Sequence, residues 1–321
     1  MNSFSIASVA SRTTSHNILK ARLPSILVAT DGSTTSSSAY TAADLIAARH
    51  GAQVHVLSVL RPYPVIVPQL GVFSTASGTD RTEAEVIEKT LRAQLANVSH
   101  AAEWTIETRV GAPASTVART ASDRSADIII IGESHHGRFD RLLGEDTSTQ
   151  LARRVNLPLL VASPAMRRLP RRVVIAFGLT SNDFSGLPAA LKILGSPSSV
   201  SCVHVQPRSE FLGVDWAEYD GEYRAQVEAT FERMKNALAS FPGMHPELVV
   251  LHGDPASELN GYAESVRAEM IVLGIKSRSG VVFATGGGIA MKMLRSAHRS
   301  VLLIPQATAG IKPEVARHDR H

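Results

Sequence analysis

Apolar residues along the chain keep two alternating rhythms, short β-branched runs and longer stretches with an apolar face every three or four positions. In the first half, 25–30 (Ser-Ile-Leu-Val-Ala-Thr) reads as a strand, 34–50 as an Ala-rich helix, and 54–59 alternates as a second strand. A Pro-rich stretch at 61–80 reads as a loop, 81–98 as a helix and 104–109 as a strand. A helix starts at Pro113, where the missing N–H of proline costs nothing. Positions 128–131 are isoleucine throughout, the pattern of a strand covered on both faces in a parallel sheet. A helix at 147–155 and a strand at 157–162 close the unit.

The second half repeats the order. Strands are predicted at 172–177, 200–205, 247–251, 270–275 and 301–304, with helices at 183–194, 216–240, 255–267 and from 287 onward. Tyr219, Tyr223, Val227, Phe231, Met234, Leu238 and Phe241 form one stripe of the long helix, expected to pack on the sheet. The repetition extends to residues. Val110-Gly-Ala-Pro-Ala-Ser115 returns as His252-Gly-Asp-Pro-Ala-Ser257, and the run ending at Gly132 returns as the run ending at Gly274. Both pairs are 142 residues apart, so the copies run in register through this stretch. Strands alternating with helices imply a doubly wound parallel α/β sheet, whose ligands bind beyond the carboxyl ends of the strands.

Composition narrows the classes. With 321 residues, 44% hydrophobic and 19% charged, the chain has room for two ordinary globular units, and no apolar run approaches the roughly 18 residues of a membrane span. The net charge of +4 lies in no Lys/Arg tract, so neither nucleic acid nor membrane is an expected partner. Cys202 is the single cysteine, which excludes an intrachain disulfide framework and favours a cytoplasmic location. Residues 1–22 and 307–321 read as tails, and 164–170, between two prolines and rich in arginine, as a linker between units at 23–163 and 171–306.

The run Ile26-Leu-Val-Ala-Thr-Asp-Gly-Ser33, the Gly-x-Pro turns at Gly111 and Gly253, the apolar runs ending at Gly132 and Gly274, and Leu157-Pro-Leu-Leu-Val161 together resemble the universal stress protein family. The resemblance covers almost the whole chain as two tandem modules. It implies a five-stranded, Rossmann-like parallel sheet in each and an intramolecular pseudo-dimer meeting along the last strands. Many members bind ATP through an aspartate after the first strand and a loop reading glycine, two residues, glycine, nine residues, glycine, then serine or threonine. Others lack the motif and bind no nucleotide.

Carried onto this chain, the resemblance gives two unequal sites. Module 1 keeps Asp31, Val59 at the adenine-contacting position and Gly132. Its loop then places His135, Glu145 and Asp146 where two glycines and a serine belong, and carboxylates repel a triphosphate. Module 2 keeps small residues at Gly274, Ser277, Gly287 and Gly288, with Ile289 following, and Val205 as its adenine-contacting valine. Its first strand leads to Gly178 instead of an aspartate. From Gly132 to Arg153 the charges are three arginines against four acids, whereas from Gly274 to Arg295 there are four cations and no acid. An anion is therefore expected in module 2, with magnesium only as the nucleotide's own companion.

Other chemistry finds little support. His135 and His136, with Glu133, Asp140, Glu145 and Asp146 nearby, are the only metal-like cluster, and they read as a solvated loop. Asp31-Gly-Ser after a strand is equally a turn and helix cap. No nucleophile elbow, Walker loop or dinucleotide fingerprint follows a strand. The expected function is a non-enzymatic stress-response or signalling protein with a degenerate adenine-nucleotide site. The alternatives are a nucleotide-independent scaffold and, more weakly, slow ATP hydrolysis. Expected partners are a second copy, forming a homodimer on top of the internal pair, and a protein of unassigned identity.

Overall fold

The computed structural model describes residues 24–62, 65–66, 73–74, 81–133, 144–179, 184–195, 197–206, 220–276 and 288–306. The first module runs β1 (Ser25–Thr30), α1 (Ser37–His50), β2 (Gln53–Leu60), β3 (Val65–Ile66), β4 (Phe73–Ser74), α2 (Arg81–Leu95), β5 (Thr105–Val110), α3 (Pro113–Asp123), β6 (Ile128–Gly132), α4 (Gly144–Arg154) and β7 (Leu159–Ala162). The second runs β8 (Arg172–Ala176), α5 (Gly186–Ile193), β9 (Ser199–Gln206), α6 (Asp220–Leu238), β10 (Glu247–His252), α7 (Pro255–Ser265), β11 (Met270–Lys276), α8 (Ile289–Ser296) and β12 (Ser300–Gln306). Within the stretch expected to be all loop, β3 and β4 pair as a short antiparallel ribbon through Val65–Ser74 and Ile66–Phe73.

Ten strands form one sheet in the order β10-β9-β8-β11-β12-β7-β6-β1-β2-β5. Each half has the same doubly wound order, and every pairing is parallel except one. At the centre β12 meets β7 antiparallel, with Val301 opposite Val161, Leu302 opposite Leu160 and Leu303 opposite Leu159. The two modules therefore share a sheet through their last strands, related by an internal pseudo-two-fold axis. Ser300 Oγ accepts the Ser163 N–H across this seam at 3.1 Å.

Strand residues alternate between two core layers, each continuous across the seam. One lies under α1, α2, α5 and α6 and holds Ile26, Val28, Ile128, Ile130, Leu160, Leu302, Leu191 and Met234. The other lies under α3, α4, α7 and α8 and holds Leu27, Ile129, Leu159, Leu303, Leu151, Leu259 and Met293. The all-isoleucine strand β6 feeds both layers, which is why none of its first four positions is polar. The α6 stripe packs as its spacing predicts from Tyr223 to Phe241, while Tyr219 lies outside the described residues.

The repeat reaches the backbone. Ser125 and Arg267, again 142 apart, both take left-handed conformations, with φ of 48° and 52°. Each ends its helix with the same closing bonds, Ala126 N–H to Ala121 O at 2.9 Å and Ala268 N–H to Ala263 O at 2.7 Å. Among the described residues, no helix is long and apolar enough to cross a membrane.

Candidate functional site

In module 2 the strand order reverses at β8, flanked by β9 and β11, and a crevice opens beyond the carboxyl ends of these strands. It holds a cavity of about 260 Å³. Val203 and Val205 of β9, Leu273 and Ile275 of β11, Leu259 of α7 and Met291 of α8 supply apolar walls. Gly178 lies at its rim, as do the Gly274 backbone and the start of α8 at Gly288 and Ile289. Four residues singled out by sequence, Val205, Gly274, Gly288 and Ile289, thus line one cavity. Ser277 and Gly287 lie outside the described residues.

The two helices flanking the cavity begin differently. Asp254 caps α7 by accepting the Ser257 N–H at 3.1 Å. Gly288 precedes α8 with no side-chain cap, and the first turn of α8 holds no acidic residue, so its partial positive charge carries no carboxylate of its own helix. Among the described residues, none that lines the cavity is acidic. Lys292 is paired with Asp254 at 3.1 Å, so one of the four cations is neutralised by an acid beyond the counted window.

Gly274 lies close to a side chain of its own module. A Cβ there would overlap the carboxamide of Gln306, which is buried at the end of β12. The close approach to the Gly274 backbone is, on this face, made by a side chain of the same module. Gly288 is the contrary case, because its φ of −54° suits any residue and, among the described residues, nothing lies within 4 Å of an added Cβ.

Another part of the cavity wall is built by Phe177 and His204, which the sequence did not mark. His204, buried in β9, donates from Nδ1 to the Phe177 carbonyl at 3.0 Å and accepts at Nε2 from the Tyr223 hydroxyl at 2.7 Å. This assignment fits an imidazole held below its ordinary pKa, first by burial and further by His252, against the opposing Phe177 bond. The position of Asp31 is taken by Gly178, so β8 ends without a carboxylate.

Module 1 retains that carboxylate in a local role. Asp31 Oδ1 accepts the Ser33 N–H at 2.7 Å and the Ser36 hydroxyl at 3.0 Å, forming a turn at the entry to α1. Its Oδ2 is buried with no hydrogen-bond partner among the described residues. Gly32, at φ 74°, makes the turn and its carbonyl accepts from Gln94 at 2.6 Å. Tyr40 donates to Gln94 at 3.1 Å and meets Thr30 Oγ1 at 2.9 Å, and burial, joined by the charge of Asp31, pushes its phenol up to about 12 against the Thr30 bond. Val59 packs half-buried against the core and Gly132 ends β6 opposite Ala162. His135, His136 and Asp140 lie outside the described residues, as do the side chains of Glu145 and Asp146.

Among the described residues no group of three His, Cys, Asp or Glu side chains is placed to hold a metal ion. Cys202 is a buried strand residue whose thiol is pushed up to about 12 by burial, which removes it as a nucleophile at neutral pH.

Comparison with known proteins agrees with the geometry. The Universal stress protein family matches twice, at residues 23–163 and 170–305. A universal stress protein of Mycolicibacterium smegmatis is 25% identical over 302 residues, covering 87% of this chain and 96% of its own length. The crystal structure of a universal stress protein from Archaeoglobus fulgidus superposes with a TM-score of 0.59 at 16% identity, covering 88% of this chain and 98% of that one. A functionally unknown protein from Pseudomonas aeruginosa PAO1 gives a TM-score of 0.55 at 17% identity, covering 88% and 93%. With its module present twice in one polypeptide, the chain belongs to the universal stress protein family.

Proposed function

We propose that the protein is a non-enzymatic stress-response module that senses an adenine nucleotide through module 2, with module 1 as its packing partner. The observation that carries this reading is the cavity at the ends of β8, β9 and β11, apolar along its walls and bounded at one end by the uncapped start of α8. Apolar walls suit a purine face, and a helix N-terminus suits phosphate. The fit is with the phosphate half of a nucleotide. Nothing acidic stands at Gly178 to take the polar edge of the base or ribose, so selectivity among nucleotides is expected to be modest.

Gly288→Glu tests the reading cleanly. The backbone there accepts a side chain, and a carboxylate at a helix start favours the fold while occupying the phosphate position. Isothermal titration of the full chain with ATP is expected to show binding that Gly288→Glu weakens by about tenfold or more and that Asp31→Ala leaves within about twofold. Binding lost on Asp31→Ala and retained in Gly288→Glu moves the site to module 1. The second reading, a nucleotide-independent scaffold, is favoured by the self-satisfied His204–Phe177–Tyr223 group. It predicts no nucleotide released on denaturing the purified protein and no heat on titration.

A further inference from the structure

The cavity of module 2 is not made by module 2 alone. Ala152 and Arg153, in the last turn of α4, line it beside Gly288 and Ile289. Their placement follows from the antiparallel seam. Leu151, Ala152 and Val155 are buried in the same layer as Met291 and Met293, so α4 and α8 share one core across β7 and β12. With β7 and β12 antiparallel, the end of one helix lies against the start of the other.

We infer that Arg153 of module 1 is an anion-binding residue of the module 2 pocket, so that the phosphate end of the site is complete only when both modules are packed together. This rests on the nucleotide reading of the same cavity. Arg153 and the positive end of α8 both border one cavity, and among the described residues none that lines it is acidic, an arrangement that favours a multiply charged anion between them. The adjacent Arg154 lines a different cavity with Asn156 and Leu157, so the two arginines separate the effect of the site from general charge. The duplication supplies an independent sign. Arg295 stands 142 residues after Arg153, and the pseudo-two-fold gives it the corresponding position in the last turn of α8.

The test uses the full chain, titrated calorimetrically with ATP, adenosine and inorganic tripolyphosphate. Arg153→Met keeps the aliphatic stem and removes the charge. It is expected to weaken ATP and tripolyphosphate by about tenfold or more and adenosine by less than about twofold, with Arg153→Lys restoring part of the loss. Arg154→Met is expected to match the parent. Equal effects of the two Met variants, or an equal loss for adenosine and ATP, overturn the assignment. A parent that binds tripolyphosphate but not ATP sinks the nucleotide reading, and the Arg153 comparison then decides the inference alone. A parent that binds ATP with Arg153→Met unchanged sinks the inference alone. Binding of neither sinks both.

Discussion

At the scale of single residues, Phe177-Gly178 stands in module 2 where Thr30-Asp31 stands in module 1, and the neighbours differ accordingly. Thr30 and Gly32 engage Tyr40 and Gln94, which lie on α1 and α2. Phe177 has no hydroxyl to offer, and His204 takes its carbonyl while holding Tyr223 of α6. Asp31 was visible in the sequence because its neighbours in the turn are its neighbours in the chain. His204–Tyr223 was not visible, since each side chain alone reads as an ordinary strand or helix position. Arg153 was hidden for a stronger reason: the cavity it borders belongs to the other half of the chain. The left-handed pair offers a stability test. Arg267 is exposed and adopts φ 52°, so Arg267→Gly removes a steric cost without emptying the core. Thermal unfolding is expected to show a gain of about 0.5–1 kcal/mol, and a loss of that size would refute the strain.

At the scale of elements, strand identities followed from rhythm, and boundaries moved where capping decided them. The helix expected from 34 onward begins with a short 3-10 turn at Thr34–Ser36 before α1, because Asp31 ties Ser33 and Ser36 into the preceding turn. The edge strand β5 carries a group that composition could not reveal. Glu107 receives Arg109, Arg124 at 2.9 Å and His55 at 2.8 Å. Burial opposes its ionisation, but the bonds from Arg109, Arg124 and His55 outweigh it and draw the carboxyl down to about 2. Its stabilisation is therefore complete above the ordinary value of 4.5 and fades as pH falls from there toward 2. His55 is held below 6.5, chiefly by burial and then by Arg124, so protonating it adds a loss as pH falls below that value. Melting temperatures measured from pH 7 to 2 should show the parent well above Glu107→Gln at neutral pH and the gap closing in acid. A gap independent of pH would show that the carboxylate contributes only shape.

At the scale of the whole molecule, the ten-stranded sheet and its two continuous core layers make the modules one cooperative body. Leu302 is fully buried at the centre of the seam opposite Leu160. Leu302→Ala is expected to cost about 2–5 kcal/mol and to lower the melting of the entire chain in a single calorimetric transition. Two separated transitions, with only one of them displaced, would show that the modules melt independently. The duplicated architecture was legible because scaffold phrases such as Gly111-Ala-Pro and Gly253-Asp-Pro repeat in register. The surroundings of the module 2 cavity were only half legible, because the Lys292–Asp254 pair and the Gln306 overlap join residues remote in sequence.

The hydrogen bond from Ser163 N–H to Ser300 Oγ has a counterpart position on the other side of the pseudo-axis, where a 142-residue shift puts Pro305 and Pro158. Neither can reproduce it, since one lacks the N–H and the other the hydroxyl. Two identical subunits would have to carry both halves of such a seam or neither, because every substitution in a symmetric pair appears twice. Covalent fusion lifts that constraint. One face of the junction is free to be polar and the other rigid, and the same freedom lets one copy lack a carboxylate, at Gly178, that the other keeps as Asp31.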